Sequence, residues 1–155
     1  MSGFCKAGGA AFSSEKMNWA TPQAFFDELD KEFRFDLDVC ASDENAKCAE
    51  YFTEEDSCLE KNWGGRRCFM NPPYGREIGK FIAKARSEAE ENGALVVCLI
   101  PARTDTSYWH DHIFGHASDI RFVRGRLKFG DGKNSAPFPS AVVVYDGTKK
   151  GVEAS

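Results

Sequence analysis

Apolar side chains recur at two periods along this chain, and the switches between them mark its elements. Phe25, Phe26, Leu29 and Phe33 keep helical spacing behind Thr21-Pro22. A capping hydroxyl followed by proline at the first helical position is a helix start, so a helix is predicted over about 22–32. From Arg34 to Ala41 the period drops to two. Phe35, Leu37, Val39 and Ala41 alternate with Asp36 and Asp38, which predicts a strand ending in carboxylates. Residues 44–52 read as a short helix with Cys48, Ala49 and Phe52 on its apolar side, and 53–65 as a loop. Arg67 to Met70 then forms a short buried strand. The clearest helix follows, with Ile78, Phe81, Ile82, Ala85 and Ala89 on one face and Asn92-Gly93 as its stop.

Ala94 to Ile100 is a continuous apolar run of strand length closed by Pro101. A further helix over about 105–114 is predicted, and strands over 120–124 and 140–145 complete the predicted sheet. The Gly-, Lys- and Asn-rich segment 125–138 reads as an exposed loop or hairpin. Strand, helix and strand around residue 80 make a right-handed βαβ unit. Its first turn lies at the carboxyl edge, where open α/β sheets bind ligands.

That turn is Asn71-Pro72-Pro73-Tyr74-Gly75. Two prolines fix φ at consecutive positions and remove two backbone donors, which leaves carbonyl oxygens and the Asn71 amide oxygen as acceptors. The Tyr74 ring is close enough to stack on a planar group held by those acceptors. Acceptors aimed at an amine beside an aromatic ring point to a nucleobase or a planar amide as substrate.

Composition narrows the picture without redirecting it. The 155 residues, 42% hydrophobic and 28% charged, make one domain of ordinary globular character. We expect a flexible arm over 1–17, the domain over 18–147 and a flexible tail over 148–155. Residues 1–60 hold 5 Lys and Arg against 14 Asp and Glu, and the other 95 hold 15 against 10. The net charge of −4 argues against indiscriminate nucleic-acid binding, but the asymmetry allows a basic face in the C-terminal half, along Arg121, Arg124, Arg126, Lys128 and Lys133. Six cysteines without a C-x-x-C pair read as reduced thiols in a cytoplasmic protein. No apolar run approaches the ~18 residues of a membrane span.

Thr21-Pro22, Asp36-Leu37-Asp38-Val39-Cys40-Ala41, Asn71-Pro72-Pro73-Tyr74-Gly75 and Ile100-Pro101-Ala102-Arg103 occur in that order. Together they resemble the phage and prophage DNA N6-adenine methyltransferases of the Dam-like type, from about Trp19 to Tyr145. Gly125-Arg126-Leu127-Lys128-Phe129 and Pro137-Phe138-Pro139-Ser140 extend the resemblance. It implies a compact Rossmann-like methyltransferase fold of the α/β class, with a mixed sheet flanked by helices and a reduced strand count. It also implies S-adenosylmethionine as cofactor, double-stranded DNA as partner and a bacterial host cytoplasm as location.

By position, the resemblance implies that Asn71, Pro72, Pro73 and Tyr74 hold and stack the base, and that Trp19, Thr21, Pro22, Asp38, Cys40, Ala41, Asp56 and Asn71 line the cofactor pocket. The glycine-rich cofactor loop usual after the first strand is replaced by Cys40-Ala41-Ser42-Asp43. Only 32 positions separate Asp38 from Met70, which leaves little room for the two strands most such enzymes insert there. Arg103, Arg124, Arg126 and Lys128 are the expected phosphate contacts. No long recognition insertion is present, so specificity is expected to be short unless a homodimer supplies more surface.

Adenine's amino nitrogen is a weak nucleophile, and two acceptors on its hydrogens favour the pyramidal, positively charged geometry of transfer. No metal is required. His112 and His116 would share a helical face, but no acidic or Cys partner sits at ligand spacing, so no metal is expected. The same turn also serves acceptors in RNA or protein glutamine. A catalytically inactive DNA-binding relative is a further alternative.

Overall fold

A computed structural model describes residues 20–130 and 135–149. The expected arm at 1–17, Trp19, Lys133 and most of the expected tail lie outside the described residues. Helix α1 spans Gln23–Phe33, β1 Leu37–Asp38, β2 Arg67–Met70, α2 Ile78–Asn92, β3 Leu95–Pro101, β4 Asp119–Phe122 and β5 Ser140–Asp146. The strands form one sheet in the order β1-β2-β3-β5-β4. Strands β1, β2 and β3 are parallel, while β5 runs antiparallel to both β3 and β4. This is the mixed, helix-flanked sheet with few strands that the sequence predicts.

The continuous apolar run of β3 is explained by burial on both faces. Val96, Cys98 and Ile100 pack with Ala141, Val143 and Tyr145 of β5 against Ile78, Ile82, Ala85 and Ala89 of α2. Leu95, Val97 and Leu99 pack with Val142 and Val144 against Phe26, Leu29 and Phe33 of α1. Gly93 ends α2 in the left-handed region at φ 75° and donates its N–H to the Glu88 carbonyl, the stop that Asn92-Gly93 predicts. The chain leaves β5 so close to α2 that a Cβ on Gly147 would lie 2.1 Å from the Ala89 carbonyl oxygen.

Four expectations need correction. Residues 44–52 are not a helix: the backbone of Asp38 takes them as an outer partner, with Asp38 N–H donating to the Glu50 carbonyl and Phe52 N–H to the Asp38 carbonyl. Strand β1 is shorter than the alternation over 34–41 suggested, because its ladder with β2 holds only Leu37 and Asp38. The 105–114 helix is mostly a π-helical turn, Trp109–Ile113. The 125–138 segment is not simply exposed, since Phe129, Ala136 and Phe138 are buried in the α1-side core.

The segment read as a loop over 53–65 also carries 3-10 turns at Glu54–Asp56 and Cys58–Glu60 and contributes Trp63, one of the largest fully buried side chains. The Trp63 indole donates to the Cys58 carbonyl at 3.0 Å. Its backbone N–H donates at 2.8 Å to Glu88, a carboxylate only 4% exposed that also accepts from Lys84 at 2.7 Å and Asn92 at 3.1 Å. Burial pushes the Glu88 pKa up, but these donors outweigh it and hold the carboxyl below its usual range. Glu88 therefore ties the 53–65 segment to α2.

Removing it strands Lys84 and the Trp63 N–H, so Glu88→Ala is expected to destabilise the fold by about 3 kcal/mol in denaturant melts at pH 7. Because the folded pKa is depressed, the stabilisation is present above the unfolded value and is lost as pH falls through the folded one. The difference between wild type and variant is expected to shrink in acid.

Candidate active site

Parallel strands β1, β2 and β3 deliver their carboxyl ends to one edge of the sheet, and the candidate residues gather there. Register pairs Asp38 with Phe69 and Met70 with Cys98, so Asp38 ends β1 beside the strand that leads into Asn71. On the α1 side, Thr21 precedes the helix. It forms no cap: α1 begins without a side-chain capping bond, and the Thr21 hydroxyl accepts from Asn71 Nδ2 at 2.9 Å instead. This corrects the capping role that the sequence suggested. The bond fixes the Asn71 amide by its nitrogen arm, so the oxygen arm faces away from Thr21.

Pro72 is buried and Pro73 exposed. Tyr74 is anchored at its far end, where the hydroxyl donates to the Leu99 carbonyl at 3.2 Å. Phe138 and Phe129 meet its ring edge-on, with centroids at 5.5 and 6.3 Å and planes near perpendicular, at 79° and 88°. Burial drives the Tyr74 pKa far upward, so the phenol stays protonated and keeps its donor. The segment carrying Phe129 is drawn across the site by Gly130 N–H, which donates to the Ala20 carbonyl at 3.1 Å. Phe129, Phe138 and the Leu99 carbonyl were not among the sequence candidates. The signal for the two rings was their place in the motifs Gly125-Arg126-Leu127-Lys128-Phe129 and Pro137-Phe138-Pro139-Ser140.

Asp38 is buried and accepts two backbone N–H groups, from Lys47 at 3.0 Å and from Cys40 at 3.3 Å. Burial pushes its pKa up to about 6 against the pull of those donors. At neutral pH it is mostly ionised, and its remaining lone pairs suit hydroxyl or amino donors. Such an acceptor fits the hydroxyls of a ribose or the amino group of an aminoacyl moiety. Cys40 sits beside it, its sulfur 3.9 Å from that of Cys58, and Ala41 N–H donates to the Phe52 carbonyl. Asp56 is exposed, and its carboxylate accepts from Thr53 N–H at 2.8 Å, capping its own turn.

The basic side chains divide into two groups. Arg121 grips both carboxylate oxygens of Glu32 at 2.7 Å and Asp119 at 2.8 Å, and so ties β4 to α1. Arg103, Arg124, Arg126 and Lys128 are exposed. The Arg103 guanidinium lies over the Phe138 ring at 5.4 Å, and Arg126 donates to the Ala136 carbonyl at 3.3 Å. Among the described residues no group of three His, Cys, Asp or Glu could hold a metal ion, and no helix is long and apolar enough to cross a membrane.

The chain as a whole is similar to known proteins. Residues 9–151 match the family model of the DNA N-6-adenine-methyltransferases (Dam). The DNA N-6-adenine-methyltransferase of Haemophilus phage HP1 (strain HP1c1) is 35% identical over 141 residues, covering 86% of this chain and 80% of the phage protein. The DNA N-6-adenine-methyltransferase of Escherichia phage T1 is 32% identical over 111 residues, covering 70% of this chain and 45% of the T1 protein.

The bond between Thr21 and Asn71 makes a prediction independent of any reaction. Thr21→Val keeps the shape and removes the acceptor, so the fold is expected to lose about 1 kcal/mol. By NMR, a proton of the Asn71 side-chain amide is expected to exchange slowly in the wild type, faster in Thr21→Val, and slowly again in Thr21→Ser.

Proposed function

The chain belongs to the DNA N-6-adenine-methyltransferase (Dam) family, and on that premise we propose that its Asn71-Pro72-Pro73-Tyr74 turn holds the adenine whose N6 amine it methylates in DNA. The observation that carries this reading is the fixed orientation of the Asn71 amide, nitrogen toward Thr21. In this reading the Asn71 Oδ1 and the Pro72 carbonyl oxygen accept the two hydrogens of the adenine amine. As the nitrogen becomes tetrahedral and positive, both acceptors strengthen, which is stabilisation specific to the transition state. Tyr74, anchored through its hydroxyl, offers a ring that cannot swing away from the base.

The cofactor common to such methyltransferases, S-adenosylmethionine, supplies when bound a methyl group on a sulfonium leaving group. The residues that would hold it are Asp38, Cys40 and Ala41 at the end of β1, with Thr21-Pro22 across the edge. Ionised Asp38 would accept from its hydroxyl or amino donors. What remains for the protein is alignment of the amine, and the Asn71 amide and the buried Pro72 are suited to that by their rigidity.

Adenine in a duplex is out of reach of this edge until it leaves the stack. Arg103, Arg124, Arg126 and Lys128 would hold the phosphates on either side. Neutralising them one at a time is expected to weaken binding across all sequences and to lower its salt dependence.

Purified protein with labelled cofactor and unmethylated duplex DNA is expected to yield N6-methyladenine. Asn71→Ala, which loses one of two acceptors, is expected to lower the turnover by about 100-fold or more. A wild-type protein that binds cofactor and never labels DNA would sink the assignment. An Asn71→Ala variant as fast as wild type would remove Asn71 from the site.

A further inference from the structure

Among the described residues two large apolar side chains are exposed, Phe114 at 38% and Phe122 at 61%. Phe122 is the last residue of β4, in register with Ala141, which in turn faces Ile100 of β3. Strand β4 runs in the same direction as β3, so Phe122 stands on the edge of the sheet from which Asn71 emerges. The order β2-β3-β5-β4 puts three inter-strand spacings between them. At about 4.8 Å each, that is a lateral separation of about 14 Å.

The ring is not a loose apolar side chain. It lies over the Trp109 indole with centroids 6.2 Å apart and planes only 14° from parallel. Trp109 is fully buried, and its Nε1 donates to the Pro101 carbonyl at 3.3 Å. One face of Phe122 thus rests on a ring fixed to the end of β3, while most of the side chain meets solvent. The chain that follows presents Arg124, Arg126 and Lys128 to solvent, and residues 121–130 contain no acid. An aromatic platform bordered by cations suits a polyanion with stacked rings.

We propose that Phe122 stacks on the duplex at the step opened by the departing adenine, against the orphaned partner base or its neighbour. This rests on the reading that the Asn71 turn holds an adenine turned out of the helix. Extrusion forfeits the stacking of that base on both neighbours, and a ring placed in the gap restores part of it. Single-stranded DNA has no such gap to fill. Phe122 is therefore a residue for duplex substrates, separate from the groups that hold the amine.

The test compares Phe122→Ala, Phe122→Trp and wild type on one sequence, as duplex and as single-stranded oligonucleotide. On duplex, the Ala variant is expected to lose about tenfold or more in kcat/KM. It should also lose the fluorescence rise of 2-aminopurine placed at the target. On the single strand it is expected to stay within about twofold of wild type, and Trp should restore the duplex rate. Equal duplex rates for Ala and wild type, or an equal loss on both substrates, would overturn the proposal. Wild-type protein that labels neither substrate would instead overturn the adenine reading, and the role of Phe122 with it.

Discussion

A hydrogen bond from Asn71 Nδ2 to the Thr21 hydroxyl holds the nitrogen arm of the Asn71 amide toward α1. An amide is two-faced, a donor arm and an acceptor arm, and only the acceptor arm can receive the hydrogens of an amine. Thr21 takes the donor arm. The prolines that follow cannot offer an N–H in competition, and they hold the next carbonyl in a fixed direction. The amide at the turn is therefore held by a residue 50 positions earlier in the chain.

The rest of the fold keeps those two residues together. Thr21 belongs to the α1 side of the sheet and Asn71 to the end of β2. They meet because α1 packs Phe26, Leu29 and Phe33 against Phe69, Leu95, Val97 and Leu99. Arg121 reinforces that contact from the far edge, bridging Glu32 of α1 and Asp119 of β4 while lying over the Phe33 ring at 5.3 Å. On the opposite face α2 backs the same strands, and Glu88 fastens the Trp63 segment to it. The edge that carries Asp38, Asn71 and Phe122 is the carboxyl edge of three strands running in one direction, β1, β2 and β4, so each contributes its last residue or the next one. A parallel arrangement makes such gathering automatic, and the antiparallel β5 brings Ser140 and the Phe138 loop to the same side.

How much of this was legible follows from where each element finds its partners. Helix α2 and strand β3 carry their evidence within themselves, one as a 3.6-residue stripe and the other as an unbroken apolar run buried on both faces. The 71–75 turn was equally plain, since prolines act on their own backbone. Most of the misread parts depend on remote partners. Residues 44–52 look helical by local spacing, yet Asp38 offers an N–H and a carbonyl that Glu50 and Phe52 satisfy, and no local pattern announces that. Thr21 before a proline is a sound cap by sequence, but its hydroxyl has a better use with Asn71. The 125–138 segment is polar on average, and that average conceals Phe129 and Phe138, which close over Tyr74. Trp63 gave no periodic signal because it anchors an irregular segment and not a helix or strand.

The most direct measurement is the position of the target base in a crystal structure of the protein with duplex DNA and the demethylated cofactor product. The account predicts the adenine amine within hydrogen-bonding distance, about 3 Å, of both Asn71 Oδ1 and the Pro72 carbonyl oxygen, with Asn71 Nδ2 still on Thr21. An amine held elsewhere, or an Asn71 amide turned with its nitrogen toward the base, would contradict it.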